Sequence, residues 1–247
     1  MSSELITARL RALTPARVGL GRTGVSQQTG DLLVFQKAHA MARDAVHARL
    51  EAGALAVALE RLSGRPVLRL HSAAPERATY LQRPDLGRIP DEESARALEA
   101  AAGGATDVAI VVADGLSALA VERHVVPLLE ALLPKLDDWR LAPLCVVEQG
   151  RVAIGDPIGQ GLHAELCVML IGERPGLSSP DSLGAYITWH PQPGRTDAER
   201  NCISNIRSEG LSYAQAAAQL QFYLTEARRL GLTGIQLKEA APQLPAG

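Results

Sequence analysis

Hydrophobic residues recur at helical spacing through the first quarter of the chain. The run LLVFQKAHAMARDAVHARL places apolar residues every three or four positions between residues 32 and 50. The run EAGALAVALERLS continues the pattern to Ser63, after which Gly64 and Pro66 end it. We therefore predict that residues 1–64 form a helical N-terminal arm and domain.

From residue 65 onward, short apolar runs alternate with amphipathic stretches. The apolar runs predict strands at residues 66–72, 108–113, 144–147, 152–154, 166–171, 186–189 and 235–237. The amphipathic stretches predict helices at residues 91–102, 116–133 and 212–230, and a short helix before residue 166. Residues 190–210 carry no regular pattern and are predicted to be irregular.

This alternation predicts an α/β fold, in which an open, mostly parallel, Rossmann-like sheet carries helices on both faces. We assign residues 65–247 to this second domain. The strands are too few and too irregular for an eight-stranded barrel. A ligand site is therefore expected beyond the carboxyl ends of the strands, in the segments 113–117, 172–182 and 201–206.

The hexapeptide GLGRTG, residues 19–24, matches the glycine pattern of dinucleotide-binding turns. That pattern binds a pyrophosphate only between a buried strand and a helix. The preceding ITARLRALTPARV contains Pro15 and several arginines and does not predict a buried strand. We interpret the hexapeptide as part of a Gly-rich arm that leads into a helix capped near Thr29 or Asp31.

Composition excludes several classes of protein. The 25 basic residues are nearly balanced by 27 acidic ones, and aromatic residues make up only 3%, so a nucleic-acid-binding surface is not expected. No segment reaches the roughly 18 apolar residues of a membrane span, and the N-terminus lacks a secretory signal. The three cysteines lack the spacing of a disulfide framework or a zinc site, which indicates a reducing compartment.

We therefore expect a cytoplasmic protein. The N-terminal segment has Leu5, Ile6, Leu10 and Leu13 at helical spacing. Short amphipathic helices of this kind can also be addresses for protein-shelled bacterial microcompartments, and that alternative stays open.

Two candidate clusters have competing interpretations. His39, Arg43 and His47 stand four residues apart and share one face of the predicted helix, beside Asp44. An interface or a capping face fits this cluster better than a metal site, because no third ligand is close in sequence. Asp114 directly follows a predicted buried strand, so its carboxylate either caps the next helix or accepts a hydrogen bond from a ligand.

Two further segments lie where a ligand is expected. Glu173, in the sequence GERPG, would repel a phosphate but would accept hydrogen bonds from a ligand rich in amide N–H groups, and a salt bridge to an arginine is the alternative. The segment NCISNI, residues 201–206, suits the wall of a half-polar ligand site. A nucleophilic Cys202 would need a base, and no motif links it to His190, so an ordinary buried cysteine is the other interpretation.

Four stretches of the chain resemble the small (light) subunit of ethanolamine ammonia-lyase. They are RVGLGRTG, LLVFQKAHAMARDAVH, YLQRPDLGR and IGERPGLSSPDSLGAYITWHPQPGRTDAERNCISNIRSEGLSY. The resemblance extends from Arg17 to about Lys238, and the last block is too long and distinctive to arise by chance.

The resemblance implies a subunit of an adenosylcobalamin-dependent enzyme that converts ethanolamine to acetaldehyde and ammonia by a radical mechanism. It implies a large subunit as partner, in an assembly of six large and six small subunits, with the catalytic residues on the large one. It implies that residues 65–247 bind cobalamin, with Val152, Glu173 and Cys202 as contacts. No metal ligand is expected from this chain, because the cobalt-binding motif D-x-H-x-x-G is absent.

The alternative hypothesis is a self-sufficient Rossmann-type enzyme that uses a nucleotide. It would need a glycine-rich turn after the first strand of the sheet, whereas AAPERA follows PVLRLHS. The subunit hypothesis instead interprets GLGRTG as part of an arm that contacts the large subunit.

Overall fold

The computed structural model describes residues 3–14 and 16–238. Eight α-helices lie within these residues: α1 Ser3–Leu13, α2 Thr29–His47, α3 Ala52–Ser63, α4 Arg77–Gln82, α5 Glu92–Ala101, α6 Ala118–Leu132, α7 Gly155–Gly161 and α8 Tyr213–Leu230. Two short strands, β1 Arg22–Thr23 and β2 Ser26–Gln27, form a hairpin. Six strands form the main sheet: β3 Val67–His71, β4 Thr106–Ala113, β5 Leu144–Glu148, β6 Ala164–Gly172, β7 Leu183–Trp189 and β8 Arg200–Ile206.

The main sheet is mostly parallel. Its strand order is β3-β5-β4-β6-β7-β8, and the pairs from β3 to β6 are all parallel. Strands β7 and β8 add to this sheet in antiparallel orientation. The predicted α/β fold with a mostly parallel sheet is therefore confirmed, as are the helices predicted at residues 91–102, 116–133 and 212–230.

Hydrophobic cores lie on both faces of the sheet, because successive side chains of a strand point to opposite sides. Ile110 of β4 packs among residues of α3, α6 and α8, and the next residue, Val111, packs among residues of α5 and α7. Both side chains are almost completely buried. Near-continuous runs of Val, Ile and Leu are typical of strands covered on both faces.

The N-terminal helices bury far less apolar surface than the sheet does. Ala45 is the one buried residue of α2, while Leu33 and Val34 are about 60% exposed. Helix α3 differs, because it packs into the core beside α6. The domain boundary at residues 64 and 65 stays a prediction. No helix among the described residues is both long and apolar enough to cross a bilayer.

The hexapeptide GLGRTG overlaps the small β1–β2 hairpin. Gly24 occupies its turn with a φ of 63°, in the left-handed region that favours glycine. Helix α1, rather than a strand of the main sheet, precedes the hexapeptide, and α2 begins at Thr29, as predicted. This setting is not the strand–turn–helix context that a dinucleotide fingerprint requires.

Two strand predictions are wrong. Val152–Ile154 forms a 3₁₀ helix that leads directly into α7. Residues 235–237 form a turn, because Gly234 adopts a φ of 89° and the N–H of Leu237 donates to the Gly234 carbonyl at 2.9 Å. The Asn201 side chain donates to the Leu237 carbonyl at 2.7 Å and so anchors this segment without strand pairing.

The prediction of an irregular segment at residues 190–210 is also wrong in part, since it contains β8. This strand begins with Arg200, which is buried at 7% exposure. Asp156 of α7 accepts two hydrogen bonds from its guanidinium, at 2.7 and 2.6 Å, and compensates the buried charge. Because a charged residue occupies a buried position of β8, the strand lacks the alternation of apolar and polar residues that would predict it.

Candidate functional site

The carboxyl ends of the parallel strands meet along one edge of the sheet, and their loops contact each other there. Gly115, in the loop after β4, has a φ of 55°. A Cβ atom at Gly115 would lie 2.3 Å from the carbonyl oxygen of Gly172, at the end of β6. Only glycine allows this close approach, so the loop after β4 and the end of β6 form one continuous surface.

Asp114 lies under this surface and is buried, with 1% of its area exposed. Its carboxylate accepts hydrogen bonds from Nη1 of Arg77 and from the backbone N–H of Gly150, both at 3.1 Å. Burial raises the pKa of Asp114 to about 6, although the positive charge of Arg77 opposes the shift. Ser117, not Asp114, caps α6, by accepting from the N–H of Ala120. The capping interpretation of Asp114 is therefore wrong.

Arg77, the first residue of α4, joins three parts of the chain. Its Nε donates to the carbonyl of Val46 in α2 at 2.7 Å, and its Nη1 donates to the carbonyl of Gly115 at 2.9 Å. The same nitrogen donates to Oε1 of Gln149, which follows β5, at 3.3 Å. One buried guanidinium thus connects the N-terminal helices to the loops after β4 and β5.

Tyr80 of α4 fixes the turn after β5. Its hydroxyl donates to the carbonyl of Gly150 at 2.9 Å, and the side chain is fully buried. The guanidinium carbons of Arg77 and Arg151 lie 4.8 and 4.2 Å from the centre of its ring. The Tyr80 side chain therefore fixes the turn before Arg151 and Val152, through its hydrogen bond to Gly150 and its contact with the Arg151 guanidinium.

Glu173 begins the loop between β6 and β7, and the protein itself holds its carboxylate. Oε1 accepts from the Ser204 hydroxyl at 2.5 Å, while Oε2 accepts from the Ser182 hydroxyl and from the N–H of Asn205. An ionised carboxylate offers about four acceptor positions, so one position on Oε1 is left for a ligand N–H. Glu173 forms no ion pair among the described residues, so the salt-bridge alternative is wrong.

The antiparallel end of the sheet has one packed face and one open face. Ala185 and Ile203 belong to the hydrophobic core that includes α8. Tyr186 and Cys202, which are paired across β7 and β8, point to the opposite face, and Cys202 is exposed. The interpretation of Cys202 as an ordinary buried cysteine is wrong.

The Cys202 thiol is not set up as a nucleophile. Neighbouring groups partly desolvate the sulfur, which raises the pKa of Cys202 above its usual value, against a hydrogen bond with Tyr186 that lowers it. The negative charge of Glu173 raises this pKa further. His190 follows Tyr186 by four positions, which is roughly 13 Å along a strand, so it is not placed to act as a base.

Two adjoining cavities open at this edge of the sheet. The first has a volume of about 420 Å³, and its lining includes Tyr80, Gly115, Arg151, Val152, Glu173, Arg174 and Tyr186. The second has a volume of about 480 Å³, and its lining includes Arg88, Arg151, Val152, Tyr186, Arg195 and Asp197. Because Arg151, Val152 and Tyr186 line both, these residues form the ridge between the two cavities.

The structure therefore brings the three predicted contact residues to one surface. Val152 and Glu173 line the first cavity, and Cys202 lies beside Tyr186, which lines the same cavity. Asp114 does not line either cavity. A cavity of about 460 Å³ beside Trp139 is larger than the first one, but it adjoins the beginning of β5 and none of the loops after the parallel strands contributes to it.

The histidine cluster lies elsewhere. His39, Arg43 and His47 are exposed on α2 and line neither cavity. Among the described residues, no group of three or more His, Cys, Asp or Glu side chains is placed to hold a metal ion.

Comparison with known proteins identifies the family. The family model for the ethanolamine ammonia-lyase light chain (EutC) matches residues 5–238. The chain belongs to this family. The ethanolamine ammonia-lyase small subunit of Xanthomonas campestris pv. campestris (strain B100) is 56% identical over 239 residues, which cover 95% of this chain and 88% of the relative.

Two further relatives with the same name are similarly close. The protein of Pseudomonas aeruginosa (strain LESB58) is 58% identical over 237 residues, covering 94% of this chain and 86% of the relative. The protein of Azotobacter vinelandii (strain DJ / ATCC BAA-1303) is 58% identical over 238 residues, covering 94% and 88%. The resemblance seen in the sequence is confirmed and extends to residue 5. Membership of this family favours the subunit hypothesis over a self-sufficient nucleotide-dependent enzyme.

Sequence reasoning misses several residues of this surface. Arg77 and Tyr80 belong to α4, a helix of six residues that is too short to produce a recognisable apolar period. Tyr186 lies within a predicted strand, and the two-residue period of that strand places it opposite Ala185. Arg151 has no signal of its own beyond its position after the turn.

Proposed function

We propose that this chain binds adenosylcobalamin together with the large subunit of ethanolamine ammonia-lyase, and that the assembled enzyme converts ethanolamine to acetaldehyde and ammonia. The observation that carries the proposal is the family match over residues 5–238. In this chain Val152 and Glu173 line one cavity, and Cys202 of β8 lies beside Tyr186, which lines the same cavity. Adenosylcobalamin, when bound, supplies the radical that starts the reaction.

The residues of the surface fit one side of a corrinoid. The corrin ring carries acetamide and propionamide groups around its edge, and each is a source of N–H donors. Glu173 retains one acceptor position on Oε1 for such a donor. Val152 and the ring of Tyr186 offer apolar contact on the ridge between the cavities. The two cavities are shallow relative to so large a cofactor, which supports a site completed by a second subunit.

In this proposal the chain binds and orients the cofactor. Three donors hold the Glu173 carboxylate in place before any ligand arrives, so its remaining acceptor position has a fixed direction. The neutral Cys202 thiol contributes contact rather than chemistry. The reacting groups, including those that bind ethanolamine, are assigned to the large subunit.

The exposed apolar residues near the N-terminus support a partner subunit. They are Leu5, Ile6, Leu10, Leu13, Val25, Leu32, Leu33, Val34, Phe35 and Met41. Many exposed apolar side chains along one segment of the chain are typical of a surface that a partner protein covers. In this proposal the arm that contains GLGRTG contacts the large subunit, and six large and six small subunits assemble. The complex is cytoplasmic, and α1 remains the candidate address for a microcompartment.

The test is release of acetaldehyde from ethanolamine in the presence of adenosylcobalamin. It is measured for this chain, for the large subunit from the same organism, and for their mixture. We expect activity only for the mixture. Activity of this chain alone, or a stable but inactive complex of the two, would contradict the proposal.

A substitution at Glu173 locates the cofactor contact. In the assembled enzyme, Glu173→Gln should raise the KM for adenosylcobalamin about tenfold, because one charge-assisted hydrogen bond is weakened, and should leave kcat nearly unchanged. The matched control is Glu92→Gln, since the Glu92 side chain is 96% exposed on α5 and lines neither cavity. Equal KM values for the two variants would remove Glu173 from the site.

A further inference from the structure

Three arginines around the two cavities lack a carboxylate partner. Arg88 lines the second cavity, Arg174 lines the first and Arg151 lines both; none of them forms an ion pair within the described residues. Neighbouring arginines are paired: Arg195 with Glu199 at 2.6 Å and Arg200 with Asp156 at 2.6 Å. Uncompensated guanidinium groups in a cavity favour an anionic ligand.

The Arg151 guanidinium is fixed in position but does not use all of its N–H donors within the protein. Its guanidinium stacks on Tyr80, and one Nη2 hydrogen bond goes to the Tyr80 carbonyl at 3.2 Å. Its Nε is buried and has no hydrogen-bond partner. A buried donor without a partner is costly, and a fixed guanidinium loses little entropy when it binds a planar or tetrahedral oxyanion.

Arg88 is brought close to Arg151 by the backbone. The N–H of Arg151 donates to the carbonyl of Gly87 at 2.7 Å, and Gly87 directly precedes Arg88. The two carboxylates that line the cavities do not cancel these charges. Glu173 lines only the first cavity, and Asp197, which lines the second, has a side chain that is 95% exposed and lies 3.7 Å from Nε of Arg200. The second cavity is therefore the more positive of the two.

We propose that Arg151, with Arg88 beside it, binds the phosphodiester of the corrinoid's nucleotide loop in the second cavity, while Glu173 receives corrin amides in the first. This inference rests on the proposed cobalamin site and specifies how that site is divided. The phosphodiester is the anionic group of the cofactor, and guanidinium groups bind such oxyanions through paired N–H donors. The amide subsite and the anionic subsite lie on the two sides of the ridge, which Arg151 shares with Val152 and Tyr186.

The test uses the complex of both subunits and measures dissociation constants by visible absorbance. Three corrinoids are compared: adenosylcobalamin, adenosylcobinamide phosphate, which keeps a phosphate but lacks the benzimidazole, and adenosylcobinamide, which lacks both. Arg151→Gln should weaken binding of the first two by about 10- to 100-fold and change the third by less than about twofold. Arg151→Lys should restore part of the loss, because the charge returns without the paired donors.

Arg96→Gln is the matched control, since Arg96 is 70% exposed on α5 and lines neither cavity; it should leave all three constants unchanged. Equal weakening of all three corrinoids by Arg151→Gln would overturn the inference and leave the proposed function standing, because Arg151 would then act only by supporting the turn. Weakening of adenosylcobalamin alone would assign Arg151 to the benzimidazole and overturn the phosphodiester. A wild-type complex that binds none of the three would overturn the proposed function as well.

Discussion

A buried carboxylate lies at each end of strand β4, and the two differ in the number of arginines that pair with them. Asp107, near the beginning of the strand, accepts hydrogen bonds from Arg140 at 2.7 Å and lies 2.9 Å from a guanidinium nitrogen of Arg228. Asp114, directly after its end, forms one ion pair among the described residues, with Arg77 at 3.1 Å. Two arginines compensate the negative charge of Asp107, whereas one arginine compensates that of Asp114, at the edge that carries the candidate site.

The pKa values follow this difference. Burial by itself would raise the pKa of Asp107, but the hydrogen bonds from Arg140 and Arg228 lower it to about 2. Burial dominates at Asp114, where the pKa is raised to about 6. A carboxylate whose charged form is poorly compensated is typical of functional edges, and one with redundant partners is typical of structural ones.

The largest expected effect comes from removing the cation that is paired with Asp114. Arg77→Gln should lower the free energy of unfolding at pH 7 by about 3 kcal/mol, because it leaves a buried carboxylate without its cation. Arg140→Gln at the other edge should lower the free energy of unfolding far less, since Arg228 remains beside Asp107 and the Arg140 side chain is 69% exposed. Urea unfolding of the two variants measures both values. Equal losses would mean that the edges do not differ.

The next effect is the pH dependence of Asp114. Because its pKa is raised to about 6 in the folded state, the folded protein keeps a proton that the unfolded chain releases between about pH 4 and pH 6. The free energy of unfolding should therefore fall as pH rises through this window, by up to about 3 kcal/mol. Asp114→Asn should remove this slope. Parallel stability profiles for the wild type and Asp114→Asn between pH 4 and pH 7 would contradict the raised pKa.

The smallest effect has the opposite sign and belongs to Asp107. Its lowered pKa provides stability that is present above about pH 4 and is lost as pH falls toward 2. The contribution should be at most about 2 kcal/mol, reduced by solvent screening at the exposed Arg140. Urea unfolding of wild type and Asp107→Asn, repeated from pH 5 down to pH 2.5, measures it. If the free energy of unfolding of the wild type fell with pH no more steeply than that of Asp107→Asn, the lowered pKa of Asp107 would be contradicted.

Much of the sheet could be predicted, because the local sequence of its central strands is itself typical of buried strands. Strands β4 and β6 are nearly unbroken runs of Val, Ile, Leu, Ala and Met, and burial on both faces requires such runs. Strand β8 could not be predicted in this way. Its first residue, Arg200, is stable in the interior only because Asp156, 44 positions earlier, folds against it.

The candidate site is predictable in position but not in detail. Ligands bind beyond the carboxyl ends of parallel strands, and this rule selects the loop of Glu173 from the strand pattern alone. The donors that hold its carboxylate, Ser204 and Asn205, come from a strand about thirty residues away. The sequence misleads at Asp114 for the same reason, because its partner Arg77 lies 37 positions earlier and belongs to a helix without a recognisable pattern.

The late position of β8, the last strand among the described residues, has a consequence for biosynthesis. A ribosome releases the chain from its N-terminus, so β3 to β6 can pair while β8 is still being made. Until residue 205 has emerged, the Glu173 carboxylate lacks two of its three donors, and the face that carries Tyr186 lacks its neighbour Cys202. The surface assigned to the cofactor is therefore completed only after the strands that form the centre of the sheet have been synthesised.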